Sequence, residues 1–396
     1  MKSLKYRFLK LLVISLFIIG CNKKTKTTDY KIEEVISKVE NQLDYGYGLV
    51  ESKNDGNLIM PRSVEGDELR MVSSSDWTSG FFPGELWLMY NLTGNEVWKS
   101  RAKKYTELLE KEQYNTGTHD VGFMMYCSYG EGYKVTNSSD YKKVLIQTAK
   151  SLSSRYNENV KCIKSWDHSP DLYHFPVIID NMMNMELLLW ASEETGDSIY
   201  INIAINHANT TIKNHFRPNN SSYHVIDYAP ETGKVIKKIT NQGYADESIW
   251  SRGQSWGLYG FTVMYRYTKD KRYLEQAEKI AKCIMSYPNL PDDKIPYWDM
   301  DAPNIPKEPR DASAAAITAS ALYELINYTS DKDAYLEFAN GIMKSLSSSS
   351  YLNTVGADNG FILSHSTGNM PRNSEIDVPI NYADYYFLEA LLRKKK

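Results

Sequence analysis

From residue 31 onward two kinds of segment alternate, told apart by the spacing of their apolar positions. One kind repeats apolar residues every three or four positions and fills the gaps with charge, the mark of a helix with one buried face. Residues 31–49 are the first, with Ile32, Val35, Ile36, Val39 and Leu43 on the apolar side; residues 96–112 follow, with Trp98, Ala102, Tyr105, Leu108 and Leu109. Residues 139–157, 197–216, 270–287 and 332–348 repeat the pattern. The other kind is apolar nearly all round and opens with small, acidic or aromatic residues: 76–90, 119–128, 180–192, 250–267, 311–326 and 381–393. A helix without a polar face must lie between other helices. Six half-exposed helices alternating with six buried ones predict an all-α fold, an (α/α)6 barrel whose inner ring of six is wrapped by an outer ring of six.

Thr-Gly-Asn at 93–95, Thr-Gly-Asp at 195–197 and Thr-Lys-Asp at 268–270 read as turns from an inner helix to the next outer one. Residues 217–249 break the pattern: SSYHVIDY alternates, and Pro-Glu-Thr-Gly-Lys at 230–234 reads as a turn, predicting a short hairpin beside the barrel mouth. Residues 288–310, rich in Pro and Asp, predict a second mouth loop. No linker interrupts residues 31–396, which are expected to form one catalytic domain.

The start of the chain belongs elsewhere. Lys2, Lys5, Arg7 and Lys10 precede an apolar run from Leu11 to Ile19, too short to remain as a membrane span. Ile18-Ile19-Gly20-Cys21 resembles a bacterial lipobox, so residues 1–20 are expected to be a lipoprotein signal peptide and Cys21 the lipidated residue. The polar stretch to residue 30 reads as a tether. The expected location is a bacterial cell membrane, at the outer membrane or periplasmic face, with the lipid at Cys21 as the only membrane contact. Cys127, Cys162 and Cys283 remain, without a CxxC, and predict neither a disulfide framework nor a zinc site.

Composition narrows the function further. A net charge of −3 offers no broad basic surface for nucleic acid. Thirty Tyr and eight Trp supply flat amphipathic rings that suit sugar faces, although cores use the same residues. There is no P-loop, no GxGxxG after a strand, no GxSxG and no HExxH; neither cofactor nor metal is expected.

The chemistry concentrates where inner helices begin. Their aligned N-termini carry partial positive charge, which suits an anionic ligand. Asp180 follows Phe175-Pro-Val-Ile-Ile and precedes a run of Met, Leu and Trp, surroundings that raise a carboxyl pKa toward neutrality and make a general acid. Asp120 opens the preceding inner helix and should face it, pushing the two pKa values apart. The competing reading makes both residues helix caps. A third cluster holds Gln242, Trp250, Arg252 and Trp256. A buried Arg between two Trp needs an anion, either Asp246 or Glu247 or a substrate carboxylate. His224, His119, Trp77 and Trp166 converge on the same region, with core packing as the alternative for the aromatics.

WTSGFFPGELW, THDVGF, FPVIIDNMMN, QGYADESIWSRGQSWGLYG, YWDMDAPN, PRDASAAAI and YADYYFLEALLR, in this order across residues 70–393, resemble glycoside hydrolase family 88, the unsaturated glucuronyl hydrolases. The resemblance implies an (α/α)6 barrel and an unusual reaction: hydration of the C4=C5 vinyl ether of the unsaturated uronic acid that lyases leave at the non-reducing end. It implies that Asp180 is the acid/base and Asp120 the second essential carboxylate. It also implies that His224, Gln242, Trp250, Arg252, Trp256, His119, Trp77 and Trp166 surround the unsaturated sugar. The partners it implies are unsaturated uronyl oligosaccharides, from sulfated polysaccharides such as ulvan or from glycosaminoglycans. The loop 363–376 lies where some members recognise sulfate; it offers Ser364, Ser366 and Arg372 but no lysine. Two rival readings remain: the related family acting on unsaturated galacturonyl-rhamnose, and a non-catalytic sugar-binding lipoprotein.

Overall fold

A computed structural model of the protein describes residues 31–396. The expected signal peptide, tether and lipidation site at Cys21 lie outside the described residues. Each periodic segment forms a helix. The outer helices are α1 (Ile32–Lys53), α3 (Glu96–Glu107), α6 (Ser139–Ser153), α8 (Ser198–His215), α10 (Lys271–Met285) and α12 (Lys332–Leu346). The inner ones begin with α2 (Phe81–Thr93). Next, α4 (Val121–Met125) runs through a π turn (Tyr126–Gly130) into α5 (Glu131–Thr136), and a 3-10 turn (Ile179–Asn184) runs into α7 (Met185–Thr195). The inner ring ends with α9 (Ser251–Thr268), α11 (Ala312–Leu325) and α13 (Asn381–Lys395).

Burial follows the sequence pattern. In α10 the buried residues Tyr273, Ala277, Ile280, Ala281 and Ile284 fall on one face, whereas every residue of α11 is buried. The small side chains of α11 let it lie against both α9 and α13; α13 packs on α2, and contacts of α2 with the π turn, α4 with α7 and α7 with α9 close the ring. This is an (α/α)6 barrel. The expected turns are present: Gly94 and Gly196 end α2 and α7 at φ 72° and 73°, and Lys269 ends α9 at φ 56°. Side chains of Asn95, Asp197 and Asp270 then cap α3, α8 and α10.

Three features depart from expectation. The hairpin of β6 (Val225–Tyr228) and β7 (Val235–Ile239) gains a third strand, β5 (Pro176–Ile178), which pairs antiparallel with β6 so that Val177 faces Ile226. A short, continuous apolar run reads equally as strand or helix. A further hairpin, β1 (Met60–Glu65) with β2 (Glu68–Val72), turns at Gly66 and Asp67, Gly66 at φ 60°, and a two-residue ladder pairs β3 (Tyr156–Asn157) with β4 (Cys162–Ile163). Residues 288–310 do not wall the mouth. They pack behind the start of α9, where Trp298 and Tyr297 carbonyls accept from the Ser251 N–H and hydroxyl. Among the described residues no helix is long and apolar enough to cross a membrane.

Candidate active site

The first residues of the inner helices gather at one end of the barrel around a cavity of about 460 Å³, large enough for a small ligand. Trp77, Thr118, His119, Asp120, Asp180, Arg252 and Tyr382 line its depth. Trp166, His168, Asn241, Gln242 and residues 368–375 form its rim.

The segment bearing Asp180 is hung from several sides. The Ser165 N–H donates to the Pro176 carbonyl, and the Ile178 N–H donates to the Ser165 hydroxyl. The Ile179 N–H reaches the His224 carbonyl, and the Asn181 amide donates to the Ile163 carbonyl, 2.8 Å away. Asp180 itself caps nothing: its 3-10 turn has no side-chain cap, and Asp120 makes no cap bond to α4. Burial pushes the Asp180 pKa up to about 7; the nearby Arg252 charge opposes this and the Asp120 charge reinforces it. Its Oδ2 has no hydrogen-bond partner among the described residues and lies 3.6 Å from Nε2 of His224.

Each carboxyl has its own neutral histidine. The Nδ1 of His224 accepts from the Asn241 and Gln242 N–H groups, both at 3.1 Å, so the proton sits on the Nε2 that faces Asp180. Burial holds the His224 pKa down at about 3. His119, also lowered by burial, stands with Nε2 3.2 Å from Oδ1 of Asp120. The Asn184 carbonyl oxygen accepts from the Phe123 N–H, which turns its amide nitrogen toward Nδ1 of His119 at 3.3 Å. Asn184 thereby ties the helix of Asp180 to that of Asp120. A Cβ on Gly122 would come within 2.4 Å of the Asn184 side chain, so this crossing admits only glycine. Thr118 donates to the second oxygen of Asp120 at 3.1 Å.

Arg252 corrects the sequence reading of its partner. The anion is neither Asp246 nor Glu247 but Asp311, 2.9 Å away and fully buried with it. The guanidinium also donates to the Thr367 and Gly368 carbonyls at 2.6 Å each. Asp246 instead accepts from the Thr240 N–H, and Glu247 pairs with Arg217. Asp311 is distant in sequence but adjacent in space because α9 and α11 pack together. The Arg252 fork is therefore engaged before any substrate arrives, between the Trp250 and Tyr382 rings at 4.6 and 5.2 Å.

The other expected residues divide. Trp77, Trp166, His119 and Gln242 line the cavity; Trp166 stacks on His168, and Gln242 donates to the Gly368 carbonyl at 3.1 Å. Trp250, Trp256 and His224 stand behind its wall: Trp250 packs on His224, and Trp256 lies between Phe123 and Tyr386. In the 363–376 loop, Ser364 is held by Asn353 and Asp358 and Ser366 is buried, leaving Arg372 on the rim. Sequence reasoning missed Asn184, Ser165 and Tyr382, although the two Asn in the otherwise apolar DNMMN were a visible signal. Among the described residues no three His, Cys, Asp or Glu are grouped to hold a metal.

The family model for Glycosyl Hydrolase Family 88 matches residues 55–390. An unsaturated glucuronyl hydrolase from Formosa agariphila is 48% identical over 388 residues, 97% of each chain. An unsaturated chondroitin disaccharide hydrolase from Streptococcus pneumoniae is 32% identical, covering 91% of this chain and 90% of its own. The crystal structure of an unsaturated glucuronyl hydrolase specific for heparin superposes with a TM-score of 0.88 at 47% identity, covering 92% of this chain and 98% of the other.

Proposed function

The chain belongs to glycoside hydrolase family 88, and we propose from this that its cavity removes the terminal 4,5-unsaturated uronic acid from lyase-generated oligosaccharides, with Asp180 as proton donor. The observation that carries the reading is a carboxyl that lines the cavity beside Asp120 and is buried deeply enough to keep its proton near neutrality. Protonating carbon in a vinyl ether needs a donor of this kind, poised near the working pH. The Asp180 proton goes to C4 as a water oxygen bonds to C5, and the proton lost by that water restores the carboxyl. The resulting hemiketal opens, and the glycosidic bond breaks without further help. Water and a proton suffice, so the chemistry calls for no cofactor.

Asp120, oriented by Thr118 and His119, is assigned to hold the water or the ring hydroxyls. Arg252, already paired with Asp311, supplies positive field to the wall that favours a uronate nearby. Trp77 and Trp166 offer ring faces to the sugar. Arg372, which forms no ion pair among the described residues, is placed on the rim to meet an anionic group of the neighbouring sugar. This favours fragments of sulfated or uronic polysaccharides, the class to which the heparin- and chondroitin-directed relatives point. We also propose, from Ile18-Ile19-Gly20-Cys21, that the enzyme is held on a bacterial membrane by lipid at Cys21.

The test is to incubate the protein with lyase digests of several uronic polysaccharides and follow the ultraviolet absorbance of the conjugated double bond. Loss of absorbance with one digest names the substrate. No loss with any digest overturns the hydrolase reading and favours a sugar-binding protein.

A further inference from the structure

Two histidines outside the cavity are fully buried on the outer helix α8, at positions 207 and 215, with Thr211 between them on the same edge. Core faces rarely spend buried imidazoles on packing alone, since desolvating a polar ring is costly unless it is hydrogen-bonded. Each ring uses one nitrogen on backbone. Nδ1 of His207 accepts from the Ile163 N–H at 3.1 Å, and Nε2 of His215 donates to the Val177 carbonyl at 3.1 Å. The partners settle the tautomers: His207 carries its proton on Nε2 and His215 on Nε2. Burial drives both pKa values down to about 3, so both rings stay neutral.

The two backbone groups are not arbitrary. Ile163 is the residue whose carbonyl holds the Asn181 side chain, immediately after Asp180. Val177 is the centre of β5, three residues before Asp180. The catalytic segment thus leans on α8 at both of its ends. We propose that His207 and His215 are positioning residues for Asp180, acting through the main chain of Ile163 and Val177 to fix where its carboxyl meets the substrate. This rests on the reading of Asp180 as proton donor. The charged and titratable groups that face Asp180 are Asp120, Arg252 and His224, with the Trp256 side chain beside them, so a displaced carboxyl changes its distance to each.

The test compares matched and mismatched amides. An Asn oxygen mimics Nδ1 and a Gln nitrogen mimics Nε2, so His207→Asn and His215→Gln preserve the backbone bonds. His207→Leu and His215→Leu remove them. The Leu variants are expected to lose roughly tenfold to a hundredfold in kcat, with KM nearly unchanged and the alkaline limb of the pH profile shifted. The matched amides are expected to restore kcat and the limb. If the Leu variants fail to fold, His207→Gln and His215→Asn, which misplace the amide, are expected to show the same losses. Folded Leu variants with wild-type kcat and pH profile, or matched amides no better than mismatched ones, overturn the proposal. The Asp180 titration, followed by infrared absorption of its protonated carboxyl, needs no substrate. A wild type that leaves unsaturated disaccharides intact would therefore sink the reaction assignment alone, while an unmoved Asp180 titration in the variants would sink the positioning role.

Discussion

The two ends of the barrel bury carboxyl groups in opposite ways. At the mouth, Asp180 is walled in with one oxygen unbonded, and its pKa is driven up to about 7 by burial. At the far end, about 21 Å along α9 from Arg252 to Arg266, carboxylates meet arginines in a closed network. Arg266 binds Glu186 at 2.5 Å and Glu324 at 2.5 Å, and Arg393 reaches Glu324 at 3.1 Å and Glu389 at 3.2 Å. Burial pushes Glu324 upward too, but Arg266 and Arg393 outweigh it and hold the pKa down at about 2. Asp180 also has an arginine nearby, yet Arg252 is already bound to Asp311 and to two carbonyls. Burial therefore leaves the outcome open, and the commitments of the nearest cation decide between a proton donor and a structural anion.

Replacing Asp180 by Asn should break the mouth most severely. Turnover is expected to fall by roughly 10²–10⁴-fold, with circular dichroism unchanged. Near-normal loss of the double-bond absorbance would remove Asp180 from the mechanism. Asp120→Asn should cost less, about tenfold to a hundredfold. It also deletes a charge that raises the Asp180 pKa, so the alkaline limb of kcat should move to lower pH; an unmoved limb would mean that the two carboxyls do not interact.

Wild-type turnover should decline as pH rises through about 7, because the donor loses its proton there. Stability links to the same shift. The folded protein holds a proton on Asp180 that the unfolded chain has released above its ordinary value of 3.8, so this group's contribution falls as pH rises from there toward 7. Glu324 behaves in the opposite sense. Its contribution is present above the ordinary value of 4.5 and is lost as pH falls toward about 2. Arg266→Leu sharpens the contrast from the other side. It takes away the arginine of Glu186, leaves Glu324 to Arg393 alone and should lower stability by about 3–5 kcal/mol, measured by denaturant unfolding. In the folded fraction kcat should stay within about twofold; a larger loss would show that the far end serves catalysis.

Much of this was legible in the residues. The alternation of one-faced and all-apolar segments predicts all the inner and outer helices, since amphipathicity reports which faces meet solvent. The turns that end at Asn95, Asp197 and Asp270 were readable because turn chemistry is local, and in the fold the same three side chains cap the next helices. The apolar neighbours of Asp180 already signalled a desolvated carboxyl. The partner of Arg252 was not legible, because nearness in sequence favoured Asp246 and Glu247 while helix packing delivered Asp311. The family resemblance implied that the tryptophans at 250 and 256 surround the sugar, yet the fold sets them behind the wall, where they pack on His224 and Phe123. His207 and His215 gave no signal, since an outer helix tolerates polar residues on its exposed side and periodicity alone does not show that these two face inward.

By itself the sequence determined what depends on near neighbours and on solvent: which segments coil, which lie inside, where they start and stop, and which carboxyl sits among hydrocarbon. Tertiary structure decided what depends on groups that only folding brings together. It chose which cation is already taken, which histidine proton faces which carboxyl, and which backbone groups hold Asp180 in place. The physical reason is range: capping and amphipathic burial act within a few residues, whereas pairing among buried charges is set by whichever helices pack side by side.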